Sequence, residues 1–362
     1  VNPAFWRERR VFITGHTGFK GSWLTLWLDR LGAKVVGYAL APTTAPTLFD
    51  LAGVDSRVQS VFADVRDLDR VRSAVRDTRP EIIFHMAAQS LVRESYRSPI
   101  DTFATNIMGT ANLLESARLA DTVLAVVVVT SDKCYENREQ KAGYRETDPM
   151  GGHDPYSSSK GAAELVASSY RRSFFKTTDS AMIATARAGN VIGGGDFALD
   201  RLIPDCVRAV ENGTPVSIRH AESTRPWQFV LEPLAAYLTL AERLVADGHE
   251  YAEAWNFGPG DEEMISVRDL CERFASVIAD RSGTHLAIQS AVVQAPEHEA
   301  KLLRLDSSKA RQRLRCRPVL TVGDAIAMTA SWYAEYLNGG NLAAMTIAQL
   351  DEFQTLAQHA YV

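Results

Sequence analysis

Cysteine is scarce in this chain: 362 residues hold four, Cys134, Cys206, Cys271 and Cys316. No two form a C-x-x-C, so neither a zinc site nor a disulfide framework is indicated, and no metal is expected. Such usage suits a reducing cytoplasm. Long apolar runs are missing as well. The longest strand-like one, Val123 to Val129, is too short to cross a bilayer. No signal peptide precedes the first strand. A soluble, cytoplasmic protein with no membrane partner is expected. There is no block of like charges and no basic arm. Lys and Arg total 39 against 44 Asp and Glu, a net charge of −5, which argues against a nucleic-acid partner. Repeats and low-complexity stretches are absent too.

What is present is a soluble composition, 46% hydrophobic and 23% charged, in a chain long enough for one large α/β domain and a smaller one. Arg10 to Thr14 reads as a buried strand. It runs into Gly15-His16-Thr17-Gly18-Phe19-Lys20-Gly21, a helix from Ser22 to Leu31 and a second strand, Lys34 to Tyr38. Strand, glycine turn, helix and strand within about 30 residues make a dinucleotide-binding unit. The glycines let the backbone approach a pyrophosphate, and the helix N-terminus faces its charge. The spacing is G-x-x-G-x-x-G and not G-x-G-x-x-G. The second strand also lacks a terminal acid for a ribose, reading Tyr38-Ala39-Leu40-Ala41. No Lys or Arg stands between Val35 and Ser56 to hold a 2′-phosphate, which favours NAD over NADP.

Alternation continues with a third strand (Ser60 to Asp67), a helix (Leu68 to Thr78) and a fourth strand (Glu81 to Gln89). A long helix bearing Asn106 (Ile100 to Ala117), a fifth strand (Val123 to Thr130) and a sixth (Ala181 to Arg187) follow. This pattern predicts a Rossmann-type parallel sheet with helices on both faces. Ligands then sit at the carboxyl ends of the strands. There lie the glycine turn, Asp64 and Val65, Ala87-Ala88-Gln89-Ser90, and Ser131-Asp132-Lys133. Asp64 would either bond an adenine amine or cap the next helix.

Asp154 makes a good N-cap and Pro155 a good first helical residue. Tyr156 and Lys160 then share one helix face, a turn apart. An ammonium beside a phenol favours the phenolate, so Tyr156 is expected to exchange a proton near neutral pH. Past Asn190 the alternation is irregular, apart from a helix opened by Arg201-Leu202-Ile203-Pro204 and a strand over Ala300 to Leu305. The cofactor domain is expected over 1–187 and about 229–258. A smaller α/β substrate domain would take about 188–228 and 259–362.

The glycine turn, His85-Met86-Ala87-Ala88-Gln89, Thr105-Asn106-Ile107-Met108-Gly109-Thr110 and Tyr156-x-x-x-Lys160 together resemble the extended short-chain dehydrogenase/reductases acting on nucleotide sugars. Gly15 to Leu24, Thr130 to Tyr135, Ala188 to Asp196 and Arg225-Pro226-Trp227-Gln228 are similar to the CDP-glucose 4,6-dehydratase branch. The resemblance implies bound NAD, CDP-glucose as substrate and a redox-neutral lyase. C4 is oxidised, water leaves across C5 and C6, and the hydride returns to C6, giving CDP-4-dehydro-6-deoxyglucose for deoxysugar synthesis.

By that resemblance Tyr156 would be the redox acid/base. Lys160 would hold the nicotinamide ribose and lower the Tyr156 pKa. Ser131 would bond the C4 oxygen, while Asp132 and Lys133 handle the C6 hydroxyl and the C5 proton. Related dehydratases carry Asp-Glu where this chain has Asp132-Lys133, which leaves the C5 base open; a plain loop ion pair is the alternative. Gly15 to Gly21, Asp64, Val65, Ala87, Ala88, Gln89 and Asn106 would hold the cofactor, with His16 and Lys20 against it. Ser90, Asn190, Arg201 and Leu202 would lie on the diphosphate side. Arg225 and Arg304 would grip phosphates as forks, with His298 near the nucleotide. A homodimer or homotetramer is expected by analogy. Competing readings are a 4,6-dehydratase on another nucleotide sugar, a 4-epimerase or dehydrogenase, and a non-catalytic dinucleotide binder.

Overall fold

The computed structural model describes residues 1–42, 44–177, 180–260, 264–290 and 302–360. Its centre is a parallel sheet of seven strands: β1 (Arg10–Thr14), β2 (Lys34–Ala39), β3 (Gln59–Phe62), β4 (Ile82–His85), β5 (Ala125–Val129), β6 (Met182–Ala188) and β7 (Ala254–Phe257). They stand in the order β7-β6-β5-β4-β1-β2-β3. Strand order therefore reverses at β1, between β2 and β4, and a crevice opens above that reversal.

Successive side chains of a strand point to opposite faces, and this sheet buries both. Val11 and Ile13 of β1 join a core with Trp23, Leu24 and Leu231. Phe12 joins a second core with Val71, Leu113 and Ala167 on the other side. All five residues of β5 are buried, which is why that strand is almost pure valine. The chain from Phe229 to Gly258 supplies the helix Leu231–Asp247 and then β7, which pairs with β6.

The structure moves several boundaries. The first long helix begins at Phe19, not Ser22, because Gly18 is its N-cap. Half of the glycine turn is thus already helical. Strand β3 ends at Phe62, so Asp64 lies beyond it, and the cap of the following helix is Asp67, whose side chain accepts from Arg70 N at 3.1 Å. The long Asn106 helix runs from Pro99 to Arg118 but carries a π-turn over Ala104–Met108. Of the strand expected at Ala300 to Leu305, the described part forms only an isolated bridge, Leu305 to Tyr144. His298, with residues 300 and 301, lies outside the described residues. The tail is a helix, Leu342–Ala360, seated by Phe353 against Trp27. Among the described residues, no helix is long and apolar enough to cross a membrane.

One glycine in β2 is set by His16. A Cβ on Gly37 would stand 2.2 Å from two atoms of the His16 ring, which is fully buried and already held edge-on to Phe49. Gly37→Ala is expected to cost about 1–3 kcal/mol by overpacking. Adding His16→Ala should return part of that loss, and urea unfolding of the single and double variants reads the coupling. Simple additivity would contradict the account.

Candidate active site

The glycine turn is shaped by close approach. Gly15 has φ +79°, and a Cβ there would stand 2.7 Å from the backbone nitrogen of Ala87 at the end of β4. A Cβ on Gly21 would meet the Gly15 carbonyl at 2.0 Å. Gly18 is different: it is exposed, meets nothing closer than 3.4 Å, and gives the helix no side-chain cap. The first amides of a helix have no intrahelical acceptor. Those of Phe19, Lys20 and Gly21 are therefore offered at the crevice. Beside them the half-buried Ala87 and Ala88 leave a flat strand end.

Across the crevice, β5 ends at Val129 and the chain enters a short turn, Asp132–Cys134, capped by Ser131. The Ser131 hydroxyl accepts from Lys133 N at 3.2 Å and donates to Asp132 Oδ1 at 3.0 Å, close enough to the Tyr156 phenol to favour its ionised form. Asp154 caps the tyrosine helix, Pro155–Ser173, accepting from Ser157 N at 2.9 Å with Pro155 at its start. The expected juxtaposition of Ser131, Asp132, Tyr156 and Lys160 is thus present, all four buried.

Their electrostatics are less simple than the sequence suggests. Burial drives the Tyr156 phenol up to about 12, with the Ser131 hydrogen bond and the Arg201 charge opposing it. Lys160 does not lower it. Its ammonium donates to the Val129 carbonyl at 3.3 Å, and burial lowers its own value to about 8. Burial thus works against the phenolate that the Tyr156–Lys160 spacing leads one to expect. Burial also raises the Asp132 carboxyl, against the nearby Lys133, Ser131 and Arg225. A raised carboxyl holds its proton better, as a general acid needs.

Lys20 reaches into the same site. Burial lowers it to about 7, helped by the like charges of Lys160 and Arg201, while Asp132 opposes. Its ammonium donates to the Tyr237 hydroxyl at 3.0 Å. Tyr237, on Leu231–Asp247, feels both Tyr156 and Asp132 and is a neighbour that no sequence motif announced.

Other expected residues fall into place unevenly. Arg201 pairs with Asp196 at 2.9 Å and donates to Ser90 Oγ at 3.1 Å, bringing two substrate-side candidates together. The route to Asp196 is fixed by Gly194, where a Cβ would stand 2.0 Å from the Trp332 ring. Leu202 starts the next helix, and the Asn190 carbonyl accepts from Gln228 N. Arg225 is buried within reach of Asp132, nearer the reacting end than expected. Arg304 lines a small cleft with Gly189, Pro226 and Met264.

Five cofactor candidates have their side chains committed elsewhere. Asn106 donates to Gln89 O at 2.9 Å and Ser159 Oγ at 2.8 Å and accepts from Gln89 N at 2.9 Å, so it ties β4 to the tyrosine helix. Gln89 spends its amide on Leu91 and Thr102. His16, fully buried with Nε2 3.0 Å from Ser60 Oγ, has no surface to offer a ligand. Asp64 is held by Arg66 at 2.7 Å, Thr17 donates to Leu40 O, and the Val65 carbonyl accepts from Asn112.

A family profile described as GDP-mannose 4,6 dehydratase matches residues 12–329. The chain belongs to that family. Membership does not fix the sugar nucleotide. The chain is 45% identical over 359 residues to a CDP-glucose 4,6-dehydratase of Salmonella typhimurium, covering 98% of this chain and 99% of that protein. A dTDP-glucose 4,6-dehydratase from Streptomyces venezuelae, solved with NAD bound, aligns with a TM-score of 0.74 at 25% identity over 92% of this chain and 99% of that one. An epimerase from Methanothermobacter thermautotrophicus gives 0.78 at 23% identity, over 93% and 95%, which speaks for the shared fold alone.

Within this family's architecture, the residues present fit a dinucleotide. The uncapped amides at Gly18, the close approach forced at Gly15 and the flat Ala87–Ala88 strand end leave room for a pyrophosphate and its ribose. Exposed Leu40, just past β2, and Phe62, the last residue of β3, offer apolar surface and no cation of their own for a 2′-phosphate.

Proposed function

We propose that the protein is an NAD-dependent CDP-glucose 4,6-dehydratase, converting CDP-glucose to CDP-4-dehydro-6-deoxyglucose. One observation carries this beyond a generic nucleotide-sugar oxidoreductase. The buried carboxyl of Asp132 accepts from Ser131, and both act on the neighbouring Tyr156 phenol. An epimerase has no use for an acid there, whereas loss of the C6 hydroxyl needs one. The kinship with the Salmonella CDP-glucose enzyme supports the choice of base.

NAD would sit on the Phe19–Gly21 amides and the Ala87–Ala88 strand end, beside Lys160, and would supply a reversible hydride acceptor between C4 and C6. The chain's own groups do the rest. Ser131 holds the C4 oxygen while Tyr156 exchanges that hydroxyl's proton. The Arg201 charge favours the phenolate form once Tyr156 gives up its proton. Once C4 is a ketone, the C5 hydrogen is acidic. Lys133 would take it, and Asp132 would give its proton to the departing C6 hydroxyl, which leaves as water. Arg201 would hold the diphosphate side, with Arg225 nearer Asp132. Two structural domains, 1–187 with about 229–258 and the remainder, would divide cofactor from sugar nucleotide.

The free cysteines are compatible with a reducing cytoplasm. Exposed Ile100, Met108 and Leu165, on the Asn106 and tyrosine helices, support burial against another copy in a homodimer or homotetramer.

The test is incubation of the NAD-loaded protein with CDP-, UDP-, dTDP- and GDP-glucose, reading the alkali-induced absorbance of a 4-keto-6-deoxy sugar. CDP-glucose should be turned over best. No chromophore from any of them would end the dehydratase reading, and preference for another base would move the substrate.

A further inference from the structure

Beneath the cofactor crevice one ring bridges two elements. His85 ends β4. Its Nδ1 lies 2.8 Å from Thr14 Oγ1, at the end of β1, and its Nε2 lies 3.1 Å from Thr110 Oγ1, on the Asn106 helix. All three side chains are buried, none more than 2% exposed. A neutral imidazole donates from one nitrogen and accepts at the other, and its partners decide which.

Both partners give the same answer. Thr14 Oγ1 accepts from Met86 N, which it shares with the Thr14 carbonyl, and from Ala87 N, each at 3.1 Å. Its lone pairs are thus engaged, and its single proton is left for His85 Nδ1, which must accept. Thr110 Oγ1 donates its own proton to the Asn106 carbonyl at 2.7 Å, so toward the ring it can accept only. His85 Nε2 therefore carries the proton.

We propose that His85 is a positioning residue for the cofactor, held as the Nε2–H tautomer. By accepting from Thr14 it turns the hydroxyl's lone pairs onto the Met86 and Ala87 amides and fixes the strand end against which NAD lies. This rests on the NAD placement proposed above. Without an acceptor in the ring, the Thr14 proton would swing toward those N–H groups and push Ala87 away. Little movement is tolerable there, since a Cβ on Gly15, the residue after Thr14, would already stand 2.7 Å from Ala87 N. A charged ring would fail as well, because Nδ1–H would face a hydroxyl whose lone pairs are engaged. Burial and the Lys160 charge, from the tyrosine helix, agree with this and hold the ring at about 3.

The other side of the ring continues the tie. Thr110 meets Asn106 at the π-turn, Asn106 donates to Ser159 Oγ at 2.8 Å, and Ser159 donates to the Tyr156 carbonyl at 2.7 Å. One buried chain of hydrogen bonds thus runs from the cofactor strand end to the backbone of Tyr156.

The two faces of the ring can be tested apart. Asparagine places an acceptor near Nδ1 and reaches Thr14; glutamine places its amide near Nε2 and reaches Thr110. In full-length protein titrated with NAD by calorimetry, His85→Gln should weaken binding about tenfold, the scale of one buried group left unsatisfied. His85→Asn should stay within about threefold of wild type. Thr14→Val removes the hydroxyl itself and should weaken NAD about as much as His85→Gln, and combining the two should add little. If His85→Gln fails to fold, Thr14→Val carries the binding test, and wild-type affinity in it overturns the proposal. With isotope-labelled histidine rings, the His85 signals should show a bare Nδ1 and a protonated Nε2, unchanged between about pH 5 and pH 8, where a free imidazole changes charge. A proton on Nδ1, equal losses in the Asn and Gln variants, or additive losses in the double variant would each overturn the proposal. Wild-type protein that binds no NAD would overturn the cofactor placement itself, a result distinct from variants that bind as wild type does.

Discussion

Phenylalanine at Tyr156 leaves a folded protein whose kcat on CDP-glucose is about 10²–10⁴-fold lower, the usual contribution of a positioned acid/base group. The ring survives the change, so the burial of the helix start survives too. Asp154 still accepts from Ser157 N and Oγ, and Lys160 still donates to Val129. Only the phenolic oxygen is lost, and with it the proton exchange at the C4 hydroxyl. The effect should fall on kcat, because the hydroxyl matters most where the proton moves. Steady-state kinetics with a thermal melt on the same preparation reads both quantities. Turnover within a few-fold of wild type would remove Tyr156 from the reaction.

The second large effect separates Asp132 from Lys133. Asp132→Asn keeps the shape and an acceptor for the Ser131 hydroxyl but has no proton to give the leaving hydroxyl. Product formation should fall by about 10²–10⁴-fold. Abstraction at C5 should continue, so CDP-glucose recovered from deuterated water should carry deuterium at C5. Lys133→Ala should suppress both product and C5 exchange. The pair of variants therefore distinguishes acid from base on the substrate itself. C5 exchange lost in Asp132→Asn but retained in Lys133→Ala would reverse the two roles.

Much of this site was legible because its parts sit where local rules operate. The Asp154-Pro155 start announces a helix, and a four-residue spacing then puts Tyr156 and Lys160 on one face. Strand alternation places Ser131 and Ala87–Ala88 on the same edge of the sheet. Asp64 was misread as a possible cap because a loop acid and a cap look alike in sequence; the strand stopped two residues earlier, at Phe62. Asn106 and Gln89 look like ligand groups in sequence, yet Asn106 bonds the Gln89 backbone and Ser159, and the Gln89 amide bonds Leu91 and Thr102. His16 looked like part of the turn's working surface, but the missing side chain at Gly37 lets its ring sink into the β2 side. Tyr237 and Asp196 come from distant segments, and only the folded chain brings them to Lys20 and Arg201. Tyr156 shows the limit most clearly. Spacing predicted an ammonium that would lower the phenol, and burial outweighs it, because desolvation of the charged form depends on the whole fold.

The central claim is that a hydride leaves C4 and returns to C6 of the same sugar. CDP-glucose carrying deuterium at C4 tests it directly, with the product read by NMR and mass spectrometry. The expected product is CDP-4-dehydro-6-deoxyglucose with the deuterium in its C6 methyl group, undiluted by solvent hydrogen. Deuterium kept at C4 of a CDP-galactose product, or lost to water, would contradict it.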